Sequence, residues 1–172
     1  MSQEIYKIRR AIIIPLGVAV FFLFFLLFLS RLLKFLPGET FVLGAVFLFA
    51  LYFFLEVLYR QVSIREDGLE IKKFLRKKEL TWDEITHLGC LVMAKKVYFL
   101  LTTTKGFCIL SNSYEQFPDM LDHLIGRMDR ERVEGEVLDF ARHPLEDNQT
   151  VRSAWFIVTI ILAVIALRLF ID

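Results

Sequence analysis

The sequence contains little of what metal, redox or nucleophilic chemistry requires. Its two cysteines, Cys90 and Cys108, do not have the Cys-x-x-Cys spacing of metal or redox sites. Its three histidines, His87, His123 and His143, are far apart in the chain and give no metal-ligand spacing. We therefore predict that both cysteines are buried structural residues, and that the chain uses no cofactor and no metal.

The short motifs of catalysis and of nucleic-acid binding are also missing. There is no glycine-rich phosphate loop, no nucleophile elbow and no His-Glu-x-x-His sequence. Aromatic residues do not interleave with the basic turns as they do on surfaces that bind single-stranded nucleic acid. These absences favour a protein that is not an enzyme and that does not bind nucleic acid.

Long apolar runs, by contrast, are abundant. They cover residues 11–29, 41–59 and 154–171, and each could cross a hydrocarbon core of about 30 Å as a helix. Hydrophobic residues make up 56% of the 172 residues, which is above the usual range for soluble domains. The runs predict three transmembrane helices. The first is expected to be an uncleaved anchor, because no small-x-small cleavage site follows it.

Lysine and arginine residues near the ends of the runs predict the orientation, because they are retained on the cytoplasmic side. Most of them precede the first run, follow the second or precede the third: Lys7, Arg9, Arg10, Arg60, Arg65, Lys72, Lys73, Arg142 and Arg152. Only Arg31 and Lys34 lie between the first two runs. We therefore expect a cytoplasmic N-terminus and middle domain, and a C-terminus at Asp172 on the outside.

Two ionisable residues fall inside the apolar runs. Glu56 lies near the cytoplasmic end of the second run, and Arg168 lies near the outer end of the third. Because both are close to an interface, we expect their side chains to reach the polar headgroups rather than to pair with each other.

The middle of the chain changes to an alternating pattern typical of short strands. Residues 62–65 and 69–72 predict a hairpin around Glu66-Asp67-Gly68, and further turns are expected at Arg76-Lys77-Lys78, Lys95-Lys96 and Lys105-Gly106. Apolar residues then recur on one helical face: Phe117, Leu121, Leu124, Ile125 and Met128. The pattern predicts an α+β domain in which one amphipathic helix packs on an antiparallel meander or barrel.

The predicted boundaries follow from these patterns. Residues 1–60 are expected to form an N-terminal transmembrane helical hairpin, with helices at about 11–30 and 40–59, and residues 61–128 the middle domain. Residues 129–153 form a charged connector, for which a short helix and an irregular segment are both open, with a break at Pro144. The third transmembrane helix is expected at residues 154–171.

Two short motifs in the middle domain suggest a family. The element Leu80-Thr81-Trp82-Asp83-Glu84-Ile85 and the pair Gly68-Leu69 at the start of a strand resemble the bacterial PH-like (pleckstrin-homology-like) domains of small membrane proteins. The resemblance implies a cytoplasmic, bent and partly open antiparallel β-barrel capped by a C-terminal amphipathic helix, usually without enzymatic activity. It also implies a multi-pass protein of the cell inner (cytoplasmic) membrane. The third membrane segment departs from the commonest layout, in which two helices precede the domain.

Basic residues cluster in the predicted turns and form the candidate binding site. They are Lys72, Lys73, Arg76, Lys77, Lys78, Lys95 and Lys96. One hypothesis is contact with anionic lipid headgroups, to which each cation near the surface contributes about 1 kcal/mol. The alternative is a set of solvated turns, in which lysine prevents edge-to-edge pairing of strands.

The leading functional hypothesis is a non-enzymatic, membrane-anchored interaction and scaffolding module at the cytoplasmic leaflet. Its partners would be the lipid bilayer and a protein, or a second copy in a homo-oligomer. One alternative is anionic-lipid sensing through the basic strand turns. Another is an accessory subunit of a transporter or membrane enzyme complex, although few small residues mark a docking face on the predicted helices.

Overall fold

The computed structural model describes residues 4–32, 36–93, 96–104, 106–142 and 147–171. It is an α+β structure with two antiparallel sheets. The helices are α1 (Arg10–Leu32), α2 (Pro37–Tyr59), α3 (Phe117–Gly126), α4 (Gly135–Arg142) and α5 (Asn148–Ile171). The strands are β1 (Glu4–Lys7), β2 (Gln61–Ile64), β3 (Gly68–Lys72), β4 (Lys77–Thr81), β5 (Ile85–Met93), β6 (Lys96–Thr103) and β7 (Gly106–Ser111).

The chain divides into two compact units. The domain comprises Met1–Arg9 and Tyr59–Gln149, and the helical unit comprises Arg10–Leu58 and Thr150–Asp172. The predicted domain started at residue 61, so the structure adds an N-terminal segment to it. The predicted connector, residues 129–153, contains α4 and the start of α5, while Pro144 lies outside the described residues.

The helical unit contains the three long apolar helices. By length and composition, α1, α2 and α5 are each able to cross a membrane. Helices α1 and α5 share one buried apolar cluster, formed by Ala19, Leu26, Leu29, Val158, Ile161 and Ile165. No described residue of α2 is buried. Helix α5 begins at Asn148, earlier than the predicted residue 154, because its first turns are polar and do not register as an apolar run.

An ion pair joins the start of α2 to the end of α5. Nη2 of Arg168 lies 3.2 Å from Oε1 of Glu39. Arg168 was predicted to reach the polar headgroups near a membrane interface, and Glu39 was not predicted as its partner.

Sheet 1 has the strand order β1-β2-β3-β4, with antiparallel neighbours. Its β2–β3 hairpin turns at residues 65–67, as the alternating pattern predicts. Strand β1 corrects the assignment of residues 1–60 to a helical hairpin alone. It pairs with β2, placing Tyr6 opposite Val62, and both side chains are buried. The N-terminal segment also bonds to a later loop, since the amide of Arg9 donates to the carbonyl oxygen of Ser113 at 3.0 Å.

Sheet 2 has the strand order β5-β6-β7, and it remains separate from sheet 1. The predicted bent, partly open antiparallel barrel is found as two antiparallel sheets that do not close into a barrel: within the described residues they share no strand ladder. The reason is the single 3₁₀ turn Trp82–Glu84, which takes the chain from β4 directly into the other sheet. The indole nitrogen of Trp82 donates to the carbonyl oxygen of Glu66 at 3.1 Å and ties this turn to the β2–β3 turn.

Helices α3 and α4 pack on the domain core. The buried face of α3 consists of Phe117, Met120, Leu121 and Leu124. Ile125 and Met128 belonged to the predicted face, but they are only partly buried, and the helix ends at Gly126. The ring centroid of Phe99 on β6 lies 5.0 Å from that of Phe117 and 5.4 Å from that of Phe140 on α4. The domain core is therefore covered by two helices, the predicted α3 and the additional α4.

The β3–β4 turn lies earlier than predicted. It spans residues 73–76, where the amide of Lys73 donates to the carbonyl oxygen of Arg76 at 2.8 Å. Lys77 and Lys78 belong to β4 and not to the turn. Consecutive strand residues point to opposite faces of a sheet, so these two lysines are separated.

Candidate functional site

A groove of about 560 Å³ opens in the domain between the β3–β4 hairpin and strands β6 and β7. Its volume lies within the range of small-molecule sites, about 300–1,000 Å³. Nine of the described residues line it: Arg60, Ile71, Lys73, Arg76, Lys78, Tyr98, Phe107, Cys108 and Ile109. We call it the basic groove.

The charge of the basic groove has one sign. Four of its lining residues, Arg60, Lys73, Arg76 and Lys78, are basic, and no acidic residue is among the nine that the structure describes there. The register of sheet 1 explains one position: Lys78 pairs with Ile71, so both lie on the face that borders the groove. Cations that converge in a concave surface concentrate positive potential, which attracts anions.

Arg60 is held in a fixed orientation at the basic groove. Its Nε donates to the hydroxyl of Tyr114 at 3.0 Å, and its Nη2 donates to the carbonyl oxygen of Ile109 at 3.4 Å. The guanidinium carbon also lies 5.9 Å from the centroid of the Tyr114 ring, which is buried. A guanidinium has five N–H donors, so donors remain for an anion after these two hydrogen bonds.

The opposite wall of the basic groove is apolar. Phe107 and Ile109 on β7 expose 66% and 46% of their surface, and Tyr98 on β6 completes the wall. A groove with cations along one side and apolar side chains along the other is suited to an amphipathic ligand, whose charged group and apolar part separate in the same way.

The structure divides the seven predicted basic residues. Lys73, Arg76 and Lys78 line the basic groove. Lys72 and Lys77 pair in the ladder and lie on the opposite face of the hairpin. Hydrogen bonds to the Glu79 carboxylate, and then to that of Glu70, raise the pKa of Lys77, whose Nζ lies 2.6 Å and 3.3 Å from them. Its charge is therefore balanced within the sheet.

The remaining two predicted residues are elsewhere. Lys96 starts β6, with its Nζ 3.8 Å from Oδ2 of Asp147 and 5.8 Å from the ring centroid of Tyr98. Lys95 lies outside the described residues. The basic residues were predicted in two separate turns, but those that line the basic groove all come from the β3–β4 hairpin.

Six residues that line the basic groove were not among the predicted site residues: Arg60, Ile71, Tyr98, Phe107, Cys108 and Ile109. Arg60 was used only to predict membrane orientation, and Phe74 and Leu75 were not weighed because the charged residues around them marked the turn. Lys78 was among the predicted basic residues, but it was placed in a turn; it stands two residues before Leu80 and shares that residue's strand face once the turn is placed correctly.

The outer face of sheet 2 is apolar as well. Register places Leu91, Tyr98, Leu100 and Ile109 on one face of the sheet. Leu91 exposes 56% of its surface, and Leu100 exposes 40%. This face adjoins the basic groove through Tyr98 and Ile109, which belong to both.

The described histidines lie in separate places. Nε2 of His87 is 2.9 Å from Oε1 of Glu134, while Nδ1 of His123 is 2.6 Å from the hydroxyl of Tyr6. His143 lies outside the described residues. In the part of the chain that the structure describes, no three His, Cys, Asp or Glu side chains are grouped as metal ligands.

The two cysteines differ in exposure. Cys108 is buried on β7, whereas Cys90 on β5 is only partly buried. Burial raises the pKa of the Cys90 thiol, and the nearby carboxylates of Glu136 and Glu134 raise it further. A raised pKa keeps a thiol protonated and lowers its reactivity, which is the behaviour expected of a structural cysteine.

Comparisons with protein-family models, with curated proteins and with solved structures found no match to this chain. The resemblance to PH-like domains therefore stays a prediction from the motifs around Gly68 and Trp82.

Proposed function

We propose that this chain is a non-enzymatic PH-like module, anchored in a bacterial cytoplasmic membrane by α1, α2 and α5, whose basic groove binds a phosphate-bearing anion. The observation that carries the proposal is the lining of the groove. Four cations meet there, three from the β3–β4 hairpin and one, Arg60, that directly follows α2, and no carboxylate is among the lining residues that the structure describes. A surface arranged only to keep strands soluble has no need to collect cations around one cavity.

The choice of phosphate rests on the donor set. A guanidinium presents a planar fork that matches two oxygens of a phosphate, and lysine ammonium groups add charge from any direction. Arg60 supplies a fork whose orientation is fixed by Tyr114, while Lys73 and Lys78 supply mobile ammonium groups. The apolar wall favours an ester that carries an apolar part over inorganic phosphate alone.

The position of Arg60 in the chain supports a role at a membrane. Arg60 follows Tyr59, the last residue of α2. If α2 spans the bilayer, Arg60 lies at the headgroup level, where anionic phospholipids are available. An anionic phospholipid and a soluble phosphate ester share the chemistry that the groove recognises, so the experiment must separate them.

Native mass spectrometry of the full chain in detergent tests the proposal. Binding would be measured for phosphatidylglycerol, for phosphatidylcholine and for glycerol 3-phosphate. The variant Lys73→Gln/Lys78→Gln removes two cations from the groove. The control Arg127→Gln/Arg130→Gln removes the same charge from exposed positions that do not line the groove.

We expect phosphatidylglycerol to bind more tightly than phosphatidylcholine and the groove variant to lose most of this preference. Two cations that each contribute about 1 kcal/mol correspond to about a 30-fold loss of affinity. Preferential binding of glycerol 3-phosphate would instead identify a soluble ester as the ligand. Equal binding by wild type and both variants, for every probe, would contradict the proposal.

A second candidate function is assembly through the outer face of sheet 2, which fits the scaffolding hypothesis. The exposed apolar residues Leu91 and Leu100 favour it. Light scattering of the detergent-purified chain measures its oligomeric state. We expect Leu100→Glu to dissociate the oligomer. The control is Ile5→Glu, which changes an exposed apolar residue of sheet 1 and should leave the oligomer intact. A monomer in every mild detergent would exclude self-assembly.

A further inference from the structure

The β3–β4 turn has an apolar tip. Phe74 and Leu75 stand at the middle of the turn, and Leu75 exposes 73% of its surface. Tight turns are normally built from Gly, Pro, Asn, Asp and Ser, whose polar or conformational properties suit an exposed bend. Phe74 is half-buried, but a leucine as exposed as Leu75 is unfavourable in water, so its exposure requires an explanation.

Basic residues surround this tip on both sides. Lys72 and Lys73 precede it, and Arg76, Lys77 and Lys78 follow it, so the tip sequence is Lys-Lys-Phe-Leu-Arg-Lys-Lys. Apolar side chains bordered by lysine and arginine are typical of elements that lie in the membrane interface. There the apolar part enters the acyl boundary and the cations meet anionic headgroups.

The tip also contacts Tyr59, a residue of the domain itself. The ring centroid of Phe74 lies 5.4 Å from that of Tyr59, and the two ring planes are inclined by 39°. Tyr59 is the last residue of α2, and tyrosine at the end of a membrane-spanning helix marks the headgroup level. The contact therefore holds the apolar tip close to the residue at which the chain would leave a bilayer.

From these three observations we infer that the β3–β4 turn is a lipid-inserting element. Leu75 enters the acyl boundary of the leaflet, Phe74 lies at the headgroup level with Tyr59, and Lys73 and Arg76 contact lipid phosphates. This inference rests on the membrane-anchored part of the proposed function but not on the identity of the groove ligand. The occupant of the tip is a bilayer that contains anionic phospholipid, because the bordering charges are all positive.

Quenching by brominated lipid tests this inference in the full chain. The chain would be placed in nanodiscs of phosphatidylcholine with a minor fraction of phosphatidylglycerol, with either brominated or ordinary acyl chains. Leu75→Trp is prepared in a Trp82→Phe/Trp155→Phe background, so that one fluorophore reports. The matched control is Asp67→Trp in the same background, since Asp67 is in the turn at the other end of β3. The tendency of tryptophan to favour interfaces applies equally to both.

We expect brominated lipid to reduce the emission of Leu75→Trp at least twofold and to leave that of Asp67→Trp unchanged. Equal quenching of the two variants would overturn the inference. A blue-shifted emission of Leu75→Trp without bromine quenching would overturn it too, because the tip would then be covered by protein, such as a second copy. If Leu75→Trp does not fold, Phe74→Trp provides the same measurement at a shallower depth.

A third sample separates this inference from the proposed function. The Trp82→Phe variant keeps Trp155, an exposed residue of α5, as its only tryptophan. Quenching of Trp155 by brominated lipid reports that α5 is in the bilayer. If Trp155 is quenched and Leu75→Trp is not, the lipid-inserting turn is wrong while membrane anchoring stands. If neither is quenched, membrane anchoring fails as well.

Discussion

The carboxylate of Asp147 accepts a hydrogen bond of 2.7 Å from the hydroxyl of Ser113, and Asp147 has no exposed surface. The same Oδ2 atom lies 3.8 Å from Nζ of Lys96. Asp147 is the residue before α5, so its charge also lies near a helix N-terminus, where negative charge is favourable. This buried carboxylate thus connects the loop after β7 to the start of the last helix.

We expect Asp147→Ala to destabilise the domain. A hydrogen bond to a charged group contributes about 1.5–3 kcal/mol, and for a domain of this size such a loss lowers Tm by about 10 °C. Asp147→Asn should cost less, because its amide oxygen can still accept the Ser113 hydroxyl proton. Thermal unfolding in detergent, followed by tryptophan fluorescence, measures both. The exposed Asp139→Ala is the control, and an equal Tm for Asp147→Ala and Asp139→Ala would contradict the expectation.

Gly68 is expected to tolerate no larger residue. A Cβ atom there would overlap the carbonyl oxygen of Leu80 and lie 3.0 Å from Cα of Thr81, both parts of the β4 backbone. Because the paired strand cannot move without breaking the ladder, Gly68→Ala should cost about 1–3 kcal/mol of unfolding free energy. This gives a physical reason for the glycine in the Gly68-Leu69 pair.

Gly126 provides the matched control for Gly68. It ends α3, and a Cβ atom at this position would meet nothing within 4 Å. Alanine favours a helix more than glycine does, so Gly126→Ala should range from neutral to about 1 kcal/mol stabilising. In denaturant titrations, the midpoint should therefore be lowered in Gly68→Ala and unchanged or raised in Gly126→Ala. A Gly68→Ala variant as stable as Gly126→Ala would show that the strand backbone can move apart.

The sequence patterns were sufficient to predict the elements whose signal is local. Three long apolar runs became α1, α2 and α5, and the helical period of Phe117, Leu121 and Leu124 gave the buried face of α3. In each case neighbouring residues in the chain carry the whole pattern, so no distant partner is needed to recognise it.

Strand β1 could not be found in the same way. Four residues, Glu4–Lys7, are too few for an alternating pattern to be recognised in the sequence. The partner strand, β2, follows in the chain only after both α1 and α2. The pairing depends on a contact far apart in sequence, which alternation alone does not specify. The predicted domain start at residue 61 therefore omitted one edge of sheet 1.

The basic groove was missed for a related reason. The charged residues around position 77 were taken as a turn, although the turn lies at residues 73–76. Shifting a strand by even one residue exchanges its two faces, so a misplaced turn also misassigns Lys77 and Lys78. The position of Arg60 at the basic groove depends on its contacts with Tyr114 and Ile109, which are known only from the tertiary structure.

Glu134 should give the domain a small pH-dependent contribution to stability. Its Oε1 is 2.9 Å from Nε2 of His87, and its Oε2 accepts the amide proton of Cys90 at 3.1 Å. The hydrogen bond with His87, followed by that from Cys90, lowers the pKa of Glu134 below its ordinary value of 4.5. A lowered pKa contributes stability above the unfolded value, and this contribution is lost as pH falls through the folded pKa.

We therefore expect Tm of the wild type to fall more than that of Glu134→Gln as the pH is lowered from neutral to below 4.5. The difference should be small, because the carboxylate side chain is 44% exposed and well screened by water. The control is Glu136→Gln, which changes an exposed residue of α4. Identical pH profiles of Tm for wild type and Glu134→Gln would show that the ionised carboxylate of Glu134 does not stabilise the domain.

The ion pair between Glu39 and Arg168 leads to the last expectation, which concerns topology. It joins the start of α2 to the end of α5, so these two ends lie together in the helical unit. The distribution of lysine and arginine predicts that both ends are outside, with the domain in the cytoplasm.

In spheroplasts of a bacterial host, a membrane-impermeant maleimide should therefore label Gly38→Cys, whose Cβ position has open space around it. Asp139→Cys should be labelled only after lysis. Labelling of Asp139→Cys in intact spheroplasts, with Gly38→Cys protected, would reverse the predicted orientation.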